Sequence, residues 1–241
     1  MGLAIPEAPG DEWWDGEAPR LLERAVAEKG VRFDAIIVDE AQDFAPPWVA
    51  ALDACSSSPG ESPYYLFTDS HQQIYRRGDA APASWPVVEL DQNCRNTLPI
   101  ARTVSSVYQD PPPGLGAHGR DPVFIDSEAG EEASLVQSVV DRLITEEHLK
   151  PSQVAVLCER REVVERLGDL VAGGFPFVPL GYPGVLVETV HRFKGLEADV
   201  VVLAISSFRP DDAVLYVGLS RARSMLMVVA PRSLRGRLAF R

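Results

Sequence analysis

Residues Val200-Val-Val-Leu-Ala-Ile205 are apolar at six consecutive positions. A strand with one wet face alternates apolar and polar side chains, so a run without alternation has to be covered on both faces. Val154-Ala-Val-Leu-Cys158 has the same character, and longer amphipathic stretches separate such runs. That succession specifies an α/β chain whose parallel sheets are flanked by helices. The expected strands are 33–38, 64–68, 87–90, 123–126, 154–158, 185–189, 200–205 and 225–229. The expected helices are 19–28, 46–54, 98–108, 131–147, 161–172 and 212–222. Pro46 and Pro47 suit a first helical turn, where a missing N–H costs nothing.

The sharpest break is Asp110-Pro-Pro-Pro-Gly-Leu-Gly-Ala-His-Gly-Arg-Asp-Pro122. Its prolines and glycines resist both helix and strand. Two readings stand: a linker between two lobes, with the boundary near residue 115, or a surface loop within one domain. On the first, 1–114 and 115–241 are separate domains.

No apolar run approaches the roughly 20 residues that cross a bilayer, and the acidic N-terminus lacks the basic start of a secretion signal. The expected setting is cytoplasmic, with no membrane partner. Cys55, Cys94 and Cys158 are too far apart for CxxC zinc spacing and odd in number, which suits reduced thiols. The net charge of −12 argues against strong nonspecific binding to nucleic acid. The charge is uneven, however. Residues 1–61 hold thirteen acids against four basic residues, and residues 200–241 hold seven arginines against two aspartates. A nucleic-acid contact is therefore expected to be local and toward the C-terminal half.

Phe33-Asp-Ala-Ile-Ile-Val-Asp39-Glu40 is an apolar strand ending in adjacent acids. At the C-terminal end of a parallel strand, one carboxylate can hold Mg²⁺ while the next orients a water against a γ-phosphate. Acids after a strand are common in turns, so the pair alone says little. The full string VDEAQD, residues 38–43, resembles the Walker B box (motif II) of UvrD/Rep-type superfamily 1 helicases. The resemblance continues in the family's order. Asp69-Ser-His-Gln72-Gln-Ile-Tyr75 is similar to motif III, and Leu90-Asp-Gln-Asn-Cys-Arg95 to motif IV. Thr189-Val-His191-Arg-Phe-Lys194-Gly-Leu-Glu197 is similar to motif V, and Tyr216-Val-Gly-Leu-Ser-Arg221-Ala to motif VI. Singly, each has an ordinary explanation: Gln72 as a turn amide, Arg95 as a surface residue, His191 as a core histidine, Arg221 as part of a solvated helix face. Five motifs in order over residues 33–223 separate the resemblance from chance.

The resemblance implies a partial first and a second RecA-like domain that use ATP and Mg²⁺ on single-stranded or partly duplex DNA. It implies Asp39 as the Mg²⁺ ligand and Glu40 as the catalytic carboxylate. Gln72 and Arg95 would sense the γ-phosphate, with Arg221 as arginine finger. Glu197 would bind ribose and Tyr75 would also contact nucleotide, while Thr189, His191 and Lys194 would lie near the DNA strand. Asp39 and Arg221 are expected to face each other over a shared nucleotide cleft.

The sequence departs from the family at its most diagnostic element. A P-loop, GxxxxGK[ST], requires glycine before lysine and Ser or Thr after it, and none of Lys29, Lys150 and Lys194 has either. Without it there is no nest of N–H groups for the β-phosphate. The expectation is that this chain alone has little or no ATPase, and that a P-loop half is supplied in cis or in trans. Motif III reads Tyr75-Arg76-Arg77-Gly78, without the usual base-stacking tryptophan, and Cys94 stands where motif IV usually has tyrosine. Residues 96–184 leave no room for the large inserted subdomain of UvrD itself, a spacing closer to compact helicases associated with nuclease-related domains. Trp13 and Trp14 sit among Asp11, Glu12, Asp15 and Glu17, which would repel a phosphate backbone. A non-catalytic binding module and one subunit of a split motor are the alternatives.

Overall fold

The apolar runs pair in parallel, as their lack of alternation requires. The computed structural model describes residues 5–7, 9–74, 84–107 and 114–240. They fall into two compact units, Met1–Val88 and Glu89–Arg241.

In the first unit, β1 (Ile36–Val38) and β2 (Tyr64–Leu66) form a two-stranded parallel sheet in the register Ile37↔Tyr65. A π-helical turn, Trp13–Glu17, leads into α1 (Ala18–Lys29), which stops at Gly30 in the left-handed region (φ 66°). Glycine takes that conformation without the Cβ penalty, which is why it ends helices. Then α2 (Pro46–Asp53) starts on its two prolines as expected. Val26 of α1, Ile36, Val38, Ala41 and Cys55 form the buried core, with Phe44, Leu52, Tyr64 and Leu66 against it. The opposite face of the sheet is uncovered: Ile37 is 69% exposed and Tyr65 56%.

The second unit is built on a seven-stranded sheet in the order β3-β9-β8-β4-β7-β6-β5. Its strands are β3 (Val123–Asp126), β4 (Val154–Cys158), β5 (Val171–Ala172), β6 (Phe175–Val178), β7 (Val185–Thr189), β8 (Ala198–Ala204) and β9 (Ala222–Ala230). Every pairing is parallel except β5 with β6. Helices cover both faces. On one, α4 (Glu132–Thr145) and α5 (Arg161–Gly168) set Val136, Val140, Leu143, Val163 and Leu167 on Val154, Val156, Val187, Val202 and Val229. On the other lies α6 (Asp212–Ser220), so close that a Cβ on Gly218 would come 2.7 Å from Leu203 Cδ1. Next to α6 and β9 packs α3 (Leu98–Ser105). Each fully buried Val or Leu contributes about 1.5–3 kcal/mol relative to exposure, and all five residues of β4 are buried.

The differences from expectation have local causes. The pattern over 161–172 predicts one helix, but the helix ends at Gly168 and Val171–Ala172 turns into β5, which pairs with β6 across Gly173-Gly174. Residues 87–90 form no strand, because Val87, Val88 and Leu90 are 82–86% exposed and nothing pairs with them among the described residues. The compact units divide between Val88 and Glu89. A strap follows α3's start: Leu115 N–H donates to Asn93 O (2.9 Å), and Leu98 N–H donates to Ala117 O (3.0 Å), so residues 114–119 lie against the start of α3. All three cysteines are unbridged, and burial pushes the Cys158 thiol up to about 12. Among the described residues no helix is long and apolar enough to cross a membrane.

Candidate functional site

In the first unit, the second of the acids ending β1, Glu40, is tied through Gln42 to the loop that follows β2. Glu40 has a left-handed backbone (φ 52°, ψ 39°), which an L residue with a Cβ rarely adopts. That turn aims the carboxylate at Gln42, whose Nε2 donates to Glu40 Oε2 at 2.5 Å. The other end of the Gln42 amide, Oε1, accepts from Asp69 N–H at 3.0 Å. Asp69 Oδ2 in turn accepts from Gln72 Nε2 at 2.7 Å, while Oδ1 accepts from His71 N–H at 2.9 Å. Gln42 and Gln72 are both buried. Glu40, Gln42, Asp69 and Gln72 thus form one continuous polar chain that carries motif II into motif III. Buried amides in such a chain fix both orientation and rotamer, because a flip would turn either amide oxygen against a carboxylate and would set the Gln42 NH₂ against Asp69 N–H.

Asp39 behaves differently. Its side chain is exposed, and Oδ1 accepts from Glu40 N–H at 2.9 Å. Among the described residues no group of three or more His, Cys, Asp or Glu could hold a metal ion. One exposed carboxylate still fits Mg²⁺, which binds through one or two carboxylates, waters and substrate phosphates rather than an all-protein cage.

In the second unit, Arg95 and Glu197 meet. Arg95 Nε lies 3.1 Å from Glu197 Oε2, and Arg223 Nη1 lies 3.4 Å from Glu197 Oε1, so one carboxylate is shared by two arginines. Asp199 is a further, longer partner of Arg223 at 3.9 Å. All these groups are about half exposed, where solvent screens the pairing. Arg95 thus belongs to the unit that holds motifs V and VI.

Asn96 explains how Arg95 is held there. Its Nδ2 donates to Ser220 O (2.9 Å) and to Ala222 O (2.6 Å), and its Oδ1 accepts from Asn93 Nδ2 (2.8 Å). At 2% exposure it is a buried clamp between motif IV and motif VI. Between the two clamped carbonyls sits Arg221 at the end of α6, also buried, with Nε donating to Val217 O and Nη1 to Leu196 O, both at 3.3 Å. Ala198 N–H returns a bond to Arg221 O at 3.1 Å.

Thr189, His191 and Lys194 share one turn after β7. Thr189 Oγ1 accepts from Arg192 N–H (3.3 Å), Thr189 O accepts from Phe193 N–H (3.1 Å), and Gly195 closes the turn at φ 80°. Glu188, 4% exposed, is held by Arg192 at 3.4 Å. Tyr75 lies outside the described residues, as do Arg76 and Arg77.

Two structural residues escaped the sequence reading. Gln42 and Asn96 stand inside motif strings and carry no charge, so only their positions within VDEAQD and NCRNT could have pointed to them.

Residues 184–229, from the start of β7 through most of β9, match the family described as UvrD-like helicase C-terminal domain. No curated protein matches the chain. Among solved structures, the C-terminal domain of a possible DNA helicase from Lactobacillus plantarum WCFS1 is similar at 23% identity and TM-score 0.49, over 61% of this chain and 92% of that one. The PRRSV helicase is similar at 16% identity and TM-score 0.50, over 83% of this chain and 36% of that one. The chain thus spans little more than a third of the PRRSV protein, and at this identity the likeness extends to the α/β fold alone.

Proposed function

We propose that this chain, which carries the C-terminal portion of a UvrD-like helicase, is the rear part of an ATP-dependent superfamily 1 DNA motor that couples hydrolysis to translocation on a single strand and to unwinding. The observation that carries the reading is the polar chain Glu40–Gln42–Asp69–Gln72. A structural turn needs no such arrangement. A phosphoryl-transfer site does, because its catalysis consists of positioning and charge compensation.

In this reading Asp39 holds Mg²⁺, which would neutralise charge on the phosphates. Glu40 accepts a proton from the attacking water, its orientation set by the Gln42 amide. Gln72 orients at the γ-phosphate and Arg95 supplies compensating positive charge; Arg221, buried in this structure, would join it by exchanging its bonds to Val217 O and Leu196 O for the phosphate. Glu197 engages the ribose hydroxyls, exchanging part of its pairing with Arg95 and Arg223 for them. Tyr75 is assigned to the nucleotide, and Thr189, His191 and Lys194 to the strand. The uncovered face of β1 and β2 supports a missing P-loop half. Parallel sheets bury both faces, yet Ile37 and Tyr65 stand side by side in solvent.

The test joins the chain to a P-loop polypeptide encoded immediately upstream, in frame or in a separate frame. Strand-stimulated ATPase and 3′→5′ unwinding are expected of the joined protein and not of the chain alone, and Glu40→Gln should abolish both. Robust Mg²⁺-dependent hydrolysis by the 241 residues alone would refute the need for a P-loop half. Absence of strand-stimulated hydrolysis from the joined protein would refute the motor.

A further inference from the structure

The register of the large sheet places three strand ends in one row. Thr189 of β7 pairs with Cys158 of β4, and Cys158 pairs with Ala204 of β8. The loops leaving these strands therefore emerge along a single edge, the carboxyl edge where parallel α/β sheets bind ligands. After β7 comes the turn with His191 and Lys194, after β4 come Glu159 and Arg160, and after β8 come Ser206, Ser207, Phe208 and Arg209.

The segment after β8 is held from below by the residues after β4. Glu159 Oε2 accepts from both Ser206 N–H and Ser207 N–H at 2.9 Å, and Arg160 Nη2 donates to Ser207 Oγ at 2.9 Å. These bonds involve charged groups, which makes them roughly twice as strong as neutral ones. The loop so fixed leaves Phe208 68% exposed. A lone exposed apolar residue is ordinary, but this one stands on an anchored loop. Arg209 follows Phe208 in the chain and Arg160 is bonded to Ser207 on its other side, and both are exposed. The acids of this segment are engaged: Glu159 by two backbone N–H groups, Asp211 by Ala213 N–H, and Asp212 by Arg237. In a chain of net charge −12, an exposed aromatic ring on an anchored loop that carries two exposed arginines at a ligand-binding edge is a local exception.

We propose that Phe208 is a stacking platform for a base of single-stranded nucleic acid, with Arg160 and Arg209 engaging the adjacent phosphates. This rests on the strand-binding part of the motor reading and adds residues to it. An aromatic face accepts any base, while arginines track the backbone without reading sequence.

The experiment measures binding of labelled oligo(dT) to the full 241-residue chain by fluorescence anisotropy over a series of salt concentrations. Phe208→Ala is expected to weaken binding about tenfold, as for loss of one stacked base, and Phe208→Trp to restore it. Arg160→Ala and Arg209→Ala should each flatten the log–log salt slope by about 0.7, one phosphate contact on a single strand. Because Arg160 also holds Ser207, Arg209→Ala is the cleaner of the two. If the wild-type chain binds and Phe208→Ala binds equally well, the stacking assignment is overturned while the motor reading stands. If the wild-type chain does not bind at low salt, the strand-binding reading falls together with it.

Discussion

Replacing Asn96 by alanine tests the clamp that joins motif IV to motif VI. The side chain is 2% exposed and gives both of its amide protons to main-chain carbonyls, Ser220 O and Ala222 O. Alanine removes both donors and leaves no room for bulk water. A buried polar group deprived of its partner costs about 1–3 kcal/mol. With two carbonyls affected and some relaxation allowed, the loss should be about 2–4 kcal/mol. Aspartate is the sharper substitution. It keeps the shape and reverses the polarity, setting one carboxylate oxygen against two carbonyl oxygens, so it should cost at least as much as alanine. The assay is urea unfolding followed by far-UV circular dichroism, with hydrogen exchange at the β8 and β9 amides to confirm that the second unit is the one affected. For a slope on the order of 1–3 kcal/mol/M, the midpoint should fall by about 0.7–4 M. A loss under about 0.5 kcal/mol for Asn96→Ala, within the scatter of surface substitutions, would refute the clamp. So would an Asn96→Asp variant as stable as wild type.

Two further predictions concern the second unit. A Cβ on Gly116 would lie 1.8 Å from Asn96 O, a main-chain atom that cannot swing aside. Gly116→Ala should therefore cost about 1–3 kcal/mol, as overpacking does, and should speed exchange of the Leu98 and Leu115 amides. Gly168→Ala, with open space around it, should be neutral or slightly stabilising, and equal effects at both sites would refute the strap. Glu132, 3% exposed at the start of α4, should make stability pH-dependent. Burial alone would raise its pKa, but its own backbone N–H, Arg166 and the Gly130 N–H together hold it below the ordinary carboxylate range. A depressed folded-state value means that the contribution is complete above the unfolded-state pKa and disappears as pH falls through the folded one. Arg166→Gln should move the acid-unfolding midpoint to higher pH and cost about 1–2 kcal/mol at neutral pH, less than a fully buried pair because the guanidinium is 43% exposed. An unchanged acid midpoint would exclude the pairing as its cause.

The large sheet was legible where burial dictated composition. β3, β4 and β7 match their expected bounds to the residue; β4 does so because a strand covered on both faces cannot hide its apolar character. Short strands were harder. β5 and β6 carry Pro176 and flank two glycines, and their pairing is a tertiary fact that no local pattern encodes. The opposite error arose at Val87–Leu90, where a strand-like composition found no neighbour to pair with. In the candidate site, charged residues were identifiable by type and spacing. The groups that position them were not: Gln42 and Asn96 act through amides whose partners lie 27, 124 and 126 residues away. The left-handed turn at Glu40 was equally invisible, because glutamate does not advertise a positive φ.

The placement of those Asn96 partners bears on biogenesis. When α3 leaves the ribosome, the carbonyls it needs are still to be made, and so is β9, the strand on which edge strand β3 depends. At about 5–20 residues per second, some 6–25 seconds pass before they emerge. During that interval Ile100 and Val104, buried in the finished fold, have no surface to cover them. Completion of the second unit is therefore decided late in translation, when β9 slots between β3 and β8.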